Sequence, residues 1–189
     1  MDEARLRQFY ALSDPVRLAL VETLRLAGGP MTSAVLTRAV PDAGGGLSFQ
    51  LETLEDAGLV ERGSGRGRAT QWTAKEIPLS WDEDDERDPQ GAIAIRSFER
   101  ELTERREVRF RRWLSEKRTT AWDPQWSHID DSYEWVLELT PGQVADLHAD
   151  LAAVVARHRE ASSEEKSSTT SSAERVFVAL TTCPVRISQ

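Results

Sequence analysis

LSFQLETLEDAGLVERGSGRGRATQWT, residues 47–73, predicts a short helix, a glycine stop, a strand, a glycine- and arginine-rich hairpin and a returning strand. Leu47, Leu51 and Leu54 recur at helical spacing, which turns one face inward and sends Ser48, Phe49, Gln50 and Thr53 elsewhere. Gly58 stands where a helix end favours left-handed backbone angles, and Leu59 can fold back as the hydrophobic contact that accompanies such an end. Val60 opens a strand, Gly63–Gly67 makes the tip, and Thr70, Trp72 and Ala74 alternate with polar neighbours on the way back. A helix delivered into a two-stranded wing suits a duplex, with the helix reading a groove and arginines resting on phosphate. Taken without its neighbours, the same stretch also suits ordinary packing with solvated arginines.

The preceding residues supply helices for it. Residues 2–12 read as a first helix with Leu6, Phe9, Tyr10 and Leu12 inward. Asp14-Pro15 starts a second, because aspartate caps and proline at the first helical position gives up only an N–H with no partner in the helix. Val16, Leu20 and Leu24 face inward there, and Gly28-Gly29-Pro30 ends it. Thr32 caps a short third helix bearing Val35, Leu36, Ala39 and Val40. The expected fold class is α+β, with an N-terminal winged helix-turn-helix, a long dimerisation helix and a small C-terminal β-α-β region.

ALSDPVRLALVETLRLAGGPMTSAVLTRAV, followed by the stretch above, resembles the DNA-binding domain of ArsR-type winged-helix transcriptional repressors. The likeness rests on the L-S-D-P-x-R opening at Leu12–Val21, the L-x-x-L-x-x-A-G-L-V close at Leu51–Val60, and the wing with its aromatic strand. It implies a homodimer on an inverted repeat of double-stranded DNA, with residues 47–57 as recognition helix. The chain departs from the family in Gly44-Gly45-Gly46 ahead of that helix and in Phe49 and Gln50 at its front. Base readout then falls to Ser48, Phe49, Gln50 and Thr53, with glutamine able to pair bidentately to adenine. Phosphate contact falls to Arg62, Arg66 and Arg68, with Gln71 beside them. The cysteine pairs of metal-sensing members are absent, so no cofactor or metal is expected.

Bulk properties bound these readings. The 189 residues carry a formal net charge of −8. Residues 1–80 hold nine Lys/Arg against ten Asp/Glu, and residues 121–189 hold five against eleven, so the excess acid lies away from the reading head. No apolar run is long enough to span a membrane and the N-terminus lacks a signal pattern, so a cytoplasmic protein with no membrane partner is expected. The single cysteine, Cys183, is expected to be buried and inert.

Trp81–Gly91 reads as an acidic spacer in which Asp82–Asp85 is solvated. This divides the chain into a winged domain 1–80, a linker 81–91, a long helix 92–120 and a C-terminal region 121–189. On the long helix, Ile95, Phe98, Leu102, Arg106, Arg109, Phe110 and Trp113 share a face suited to dimerisation. Arg106 and Arg109 pair with glutamates such as Glu99 or Glu107, or hold an anionic effector. Trp113, Trp122, Trp126, Tyr133 and Trp135 form either a small core or an apolar ligand pocket. The candidate effector or dimer residues are therefore Phe98, Leu102, Arg106, Arg109, Trp113 and Trp135. Tyr133–Leu139 reads as a strand, Thr140-Pro141 as the start of a helix with Val144, Leu147, Leu151, Val154 and His158 inward, and Arg175–Thr181 as a last strand. Ser162–Ser172 reads as a Ser/Thr-rich connection. His128, His148 and His158 lack the spacing for a shared metal, no phosphate loop or catalytic triad spacing occurs, and no enzyme is expected. A winged-helix protein-interaction module that does not read DNA stands as the alternative.

Overall fold

A computed structural model describes residues 2–76, 81–127, 129, 134–165 and 174–185. Contacts divide the chain into two units, residues 1–119 and 120–189. The first runs α1 (Glu3–Leu12), α2 (Pro15–Ala27), β1 (Met31–Thr32), α3 (Ser33–Ala39), α4 (Leu47–Asp56), β2 (Val60–Arg62), β3 (Gln71–Ala74), α5 (Glu83–Arg87) and α6 (Pro89–Glu116). It is an α+β winged helix-turn-helix.

Local chemistry sets most of these boundaries. The Asp14 carboxylate accepts from the amides of Val16 and Arg17, and Pro15 occupies the first turn of α2. The Thr32 hydroxyl accepts from Val35 N to start α3. At the end of α4, Leu59 N donates to Leu54 O and Gly58 N to Glu55 O. This is a Schellman close, in which Gly58 holds φ of 73° and Leu59 is fully buried.

The three strands lie in the order β1-β3-β2, all antiparallel, with Met31 opposite Trp72 and Arg62 also opposite Trp72. β1 is absent from the sequence reading, since two residues carry no detectable alternation. It joins the sheet because Thr32 pairs with Gln71 and Ser33 N donates to Thr70 O.

The core gathers Phe9, Leu12, Leu20, Leu24, Leu36, Leu51, Leu54, Leu59 and Val60, with Trp72 from β3. Tyr10, expected inward, is 41% exposed.

The acidic stretch is not a spacer. Asp82 and Asp85 cap each other's backbone amides around α5, and the Asp85 side chain is buried against Arg5 of α1 at 2.7 Å. Trp81 closes an aromatic trio with Phe9 and Phe98, centroids 5.5–6.4 Å apart. α6 begins at Pro89, earlier than expected, with Asp88 capping it. Its Ala92, Ala94, Ile95 and Phe98 are buried with the first helix of the unit, so this part of α6 belongs to the N-terminal core. Further along, Arg105 and Arg109 both meet the carboxylate of Glu22 on α2.

In the second unit, α7 spans Pro141–Glu165 and starts at a capping box in which Thr140 and Gln143 exchange side-chain and backbone bonds. Val144, Leu147 and Leu151 are half-buried, whereas Val154 and His158 are exposed. The helix continues into the Ser/Thr-rich connection, whose residues 166–172 lie outside the described residues, as do His128 and Tyr133. The expected strands are not formed among the described residues: 134–140 and 174–185 carry no strand. Val136, Leu137, Val176, Val178 and Leu180 stand exposed there, so the apolar side of the alternation is not buried among the described residues. Cys183 is exposed too, contrary to expectation.

Two measurements check this packing. Phe98→Ala is expected to destabilise the N-terminal unit by about 3–5 kcal/mol in denaturant unfolding, as for a buried aromatic, whereas a residue serving only a dimer face of the long helix would leave it unchanged. Burial works to raise the Asp85 pKa, but the hydrogen bond from the Asp82 amide and the Arg5 charge outweigh it and hold the carboxyl below its usual range. A depressed folded pKa contributes stability above the unfolded value of about 3.9, and this is lost as pH falls through the folded one. Asp85→Asn should therefore melt below wild type at pH 7, with the gap closing in acid.

Candidate nucleic-acid interface

The rotation of α4 is set by Leu47, Leu51 and Leu54, none more than 7% exposed. Phe49, Glu52, Thr53 and Asp56 consequently form its outward face, flanked by Ser48 on one side and Gln50 on the other. Ser48 is exposed and Phe49 is 66% exposed. Thr53 is half-buried, and its hydroxyl donates back to Phe49 O at 2.9 Å, so its proton is spent within the helix. Gln50 is half-buried and its Oε1 accepts from Arg17 Nη1 of α2 at 3.1 Å. No Lys or Arg lies within α4.

Pro41–Gly46 ahead of α4 makes two 3-10 turns broken by a kink at Gly44 (φ 43°, ψ −137°), and Gly46 at the N-cap offers no side chain to the first amides. Those first-turn N–H groups are left for solvent or an anion, at the positive end of the helix dipole.

The wing divides its arginines. Arg62 lies at the base, not the tip. Its Nε and Nη2 donate to one oxygen of Glu55 at 3.1 and 2.9 Å, Glu52 lies 3.7 Å away, and the guanidinium sits 4.6 Å over the Trp72 ring. Hydrogen bonding to Glu55 is the chief cause that raises its pKa above the ordinary guanidinium value, with a desolvation cost working against it and the charges of Glu55 and Glu52 adding to the rise. Arg62, expected to rest on phosphate, is paired here with Glu55 and ties the wing base to α4. Arg66 and Arg68 are exposed at the tip and make no ion pair among the described residues. The tip itself depends on Gly65, at φ of 100°, where an added Cβ would lie 2.2 Å from Ala69 O. Gln71 is half-buried, with its Oε1 accepting from the Ser64 hydroxyl across the hairpin.

Residues 12–63 match a family model described as a helix-turn-helix domain. The match runs from the end of α1 through α4 to the base of the wing. No curated protein matches the chain. This helix-turn-helix supports a DNA-binding regulator, and α2, α3 and α4 all lie within the matched residues.

The candidate effector or dimer residues divide between the two units. Phe98 is in the core with Phe9, Leu102 packs against that core, and Arg109 answers Glu22 within its own chain rather than Glu99 or Glu107. Arg106 and Trp113 are half-buried, Phe110 is 53% exposed, and Trp135, 73% exposed, belongs to the other unit. Sequence reasoning missed Arg17, Glu22 and Glu55. Arg17 stands three residues after the capping aspartate, a spacing that could have drawn attention to it. Glu22 meets partners distant in the chain, and Glu55 meets Arg62 seven residues on, across the turn into the wing. Among the described residues, no group of three or more His, Cys, Asp or Glu could hold a metal, and no helix is long and apolar enough to cross a membrane.

Glu55→Gln leaves the fold of α4 intact and releases Arg62. Duplex affinity at 0.1 M salt should rise roughly five- to tenfold, as for one added phosphate contact, in fluorescence anisotropy with a labelled duplex.

Proposed function

We propose that the chain is a transcriptional repressor that binds an inverted-repeat duplex as a homodimer, with α4 in the major groove and the wing on adjacent phosphate. The observation that carries it is the pair Arg66 and Arg68, exposed on a glycine-built tip whose base is fastened to α4 through Arg62 and Glu55. Ser48, Phe49 and Gln50 then meet base edges, and the uncapped start of α4 adds backbone donors for a phosphate.

Dimerisation is supported by α6. Only the first part of its 28 residues is buried in the N-terminal core, while Phe110 and Leu114, four apart on one face, stay more than 40% exposed further along. A second copy is the partner whose helix would cover them. Control by a small molecule is supported within the second unit by an open groove of about 740 Å³ between Ala152, Val155 and Ala156 of α7 and Val178 and Leu180, with Arg159 at its margin. That size falls within the range of small-molecule sites, and Glu160 also lines the groove. The effector would act by favouring a dimer whose two α4 helices are wrongly spaced for successive grooves.

One observation favours the second reading, an interaction module. The outward face of α4 carries Phe49, Glu52 and Asp56 and no cation, which would suit a basic, apolar protein surface.

Mobility shift with a random duplex pool separates the two. Wild type should bind with a salt slope that Arg66→Ala/Arg68→Ala lowers by about four, one phosphate contact per arginine in each of the two half-sites. Binding that ignores those substitutions, or no binding at low salt, favours the interaction module. Sedimentation at micromolar concentration should give a dimer for wild type and a monomer for Phe110→Glu/Leu114→Glu.

A further inference from the structure

We infer that Arg17 sets the base preference of α4 by committing Gln50 to donate rather than accept. This rests on the duplex-reading proposal above. The Arg17 side chain is only 18% exposed and is held from several directions. Its Nε donates to Ala11 O at 2.7 Å, its Nη2 to Tyr10 O at 3.3 Å and its Nη1 to Gln50 Oε1 at 3.1 Å, with the Asp14 carboxylate 3.8 Å from Nη1.

Carboxamide oxygen and nitrogen are ordinarily hard to tell apart, but here the neighbour decides. A guanidinium only donates and keeps its proton, so the Gln50 atom facing it is the oxygen. A glutamine reads adenine by accepting from the N6 amino group and donating to N7 together. In this chain the accepting end already serves a cation. A second, positively polarised N–H brought to the same oxygen would meet that charge, whereas the acceptors O6 and N7 of guanine are attracted by both the Gln50 amide N–H₂ and the guanidinium behind it. The Thr53 hydroxyl on the next turn is turned back to Phe49 O, so it does not compete as a donor. Gln50 therefore selects guanine, and Arg17, which touches no base, is a positioning residue.

The test selects bound sequences from a random duplex pool with the full chain, as wild type, Gln50→Glu and Arg17→Leu. Gln50→Glu keeps α1 and α2 untouched, retains the pair with Arg17 and presents an oxygen in place of the N–H₂. Wild type is expected to enrich guanine over adenine about tenfold at one position of each half-site. Gln50→Glu should move that position alone to cytosine or adenine, whose major-groove edges carry an amino donor, and Arg17→Leu should move it to adenine. Adenine at that position in wild type, or the same preference in Gln50→Glu, overturns the inference while leaving duplex reading intact. If wild type enriches no sequence, both fall. Should Arg17→Leu fail to fold, the Gln50→Glu result decides by itself.

Discussion

The leucine row of α4 governs the molecule's outer chemistry from inside. Leu47, Leu51 and Leu54 each bury nearly all their surface, worth about 1.5–3 kcal/mol apiece relative to exposure. Turning the helix by one residue would drive Ser48, Glu52 or Glu55 into that core with no partner, a penalty larger than any surface interaction could offset. The Schellman close at Gly58 and Leu59 locks the same rotation from the far end. What faces outward on α4 is thus a consequence of what the core accepts.

Around that helix the arginines are mostly internal fasteners. Arg5 holds α5 through Asp85, Arg17 holds α1 to α4, Arg62 holds the wing to α4, and Arg105 and Arg109 hold α6 to α2. A half-buried guanidinium with two or three fixed acceptors is a strong, directional tie, and its planar fork spans elements that apolar contacts alone would let slide. The result is a winged head whose charge is largely matched within itself. Arg66 and Arg68 stand apart from this scheme: on the glycine turn they make no ion pair among the described residues.

The wing, its glycine tip and the helices before it were legible because their signals are local. Leucines at helical spacing, Asp-Pro starts and glycine stops act over a few residues. In the acidic stretch Asp82, Glu83 and Asp84 are exposed as a charge run suggests, but Asp85 and Trp81 turn inward to the distant Arg5 and Phe9, which no local pattern announces. The apolar face assigned to α6 mixed two environments: Phe98 serves the N-terminal core, while Phe110 stands exposed. The flanks of α7 show the reverse error, since alternation announces a strand only where a neighbouring strand or layer exists to receive it.

By itself the sequence determined that residues 47–73 form a helix followed by a wing, where that helix stops, and which leucines it buries, because these depend on backbone preferences and on periodicity within a few turns. The tertiary structure alone decided which polar side chains remain available. Arg62 and Gln50 are claimed by Glu55 and Arg17, while Arg66 and Arg68 are not. Hydrogen bonds and ion pairs form between groups brought within about 3 Å by folding, and no spacing along the chain encodes that distance.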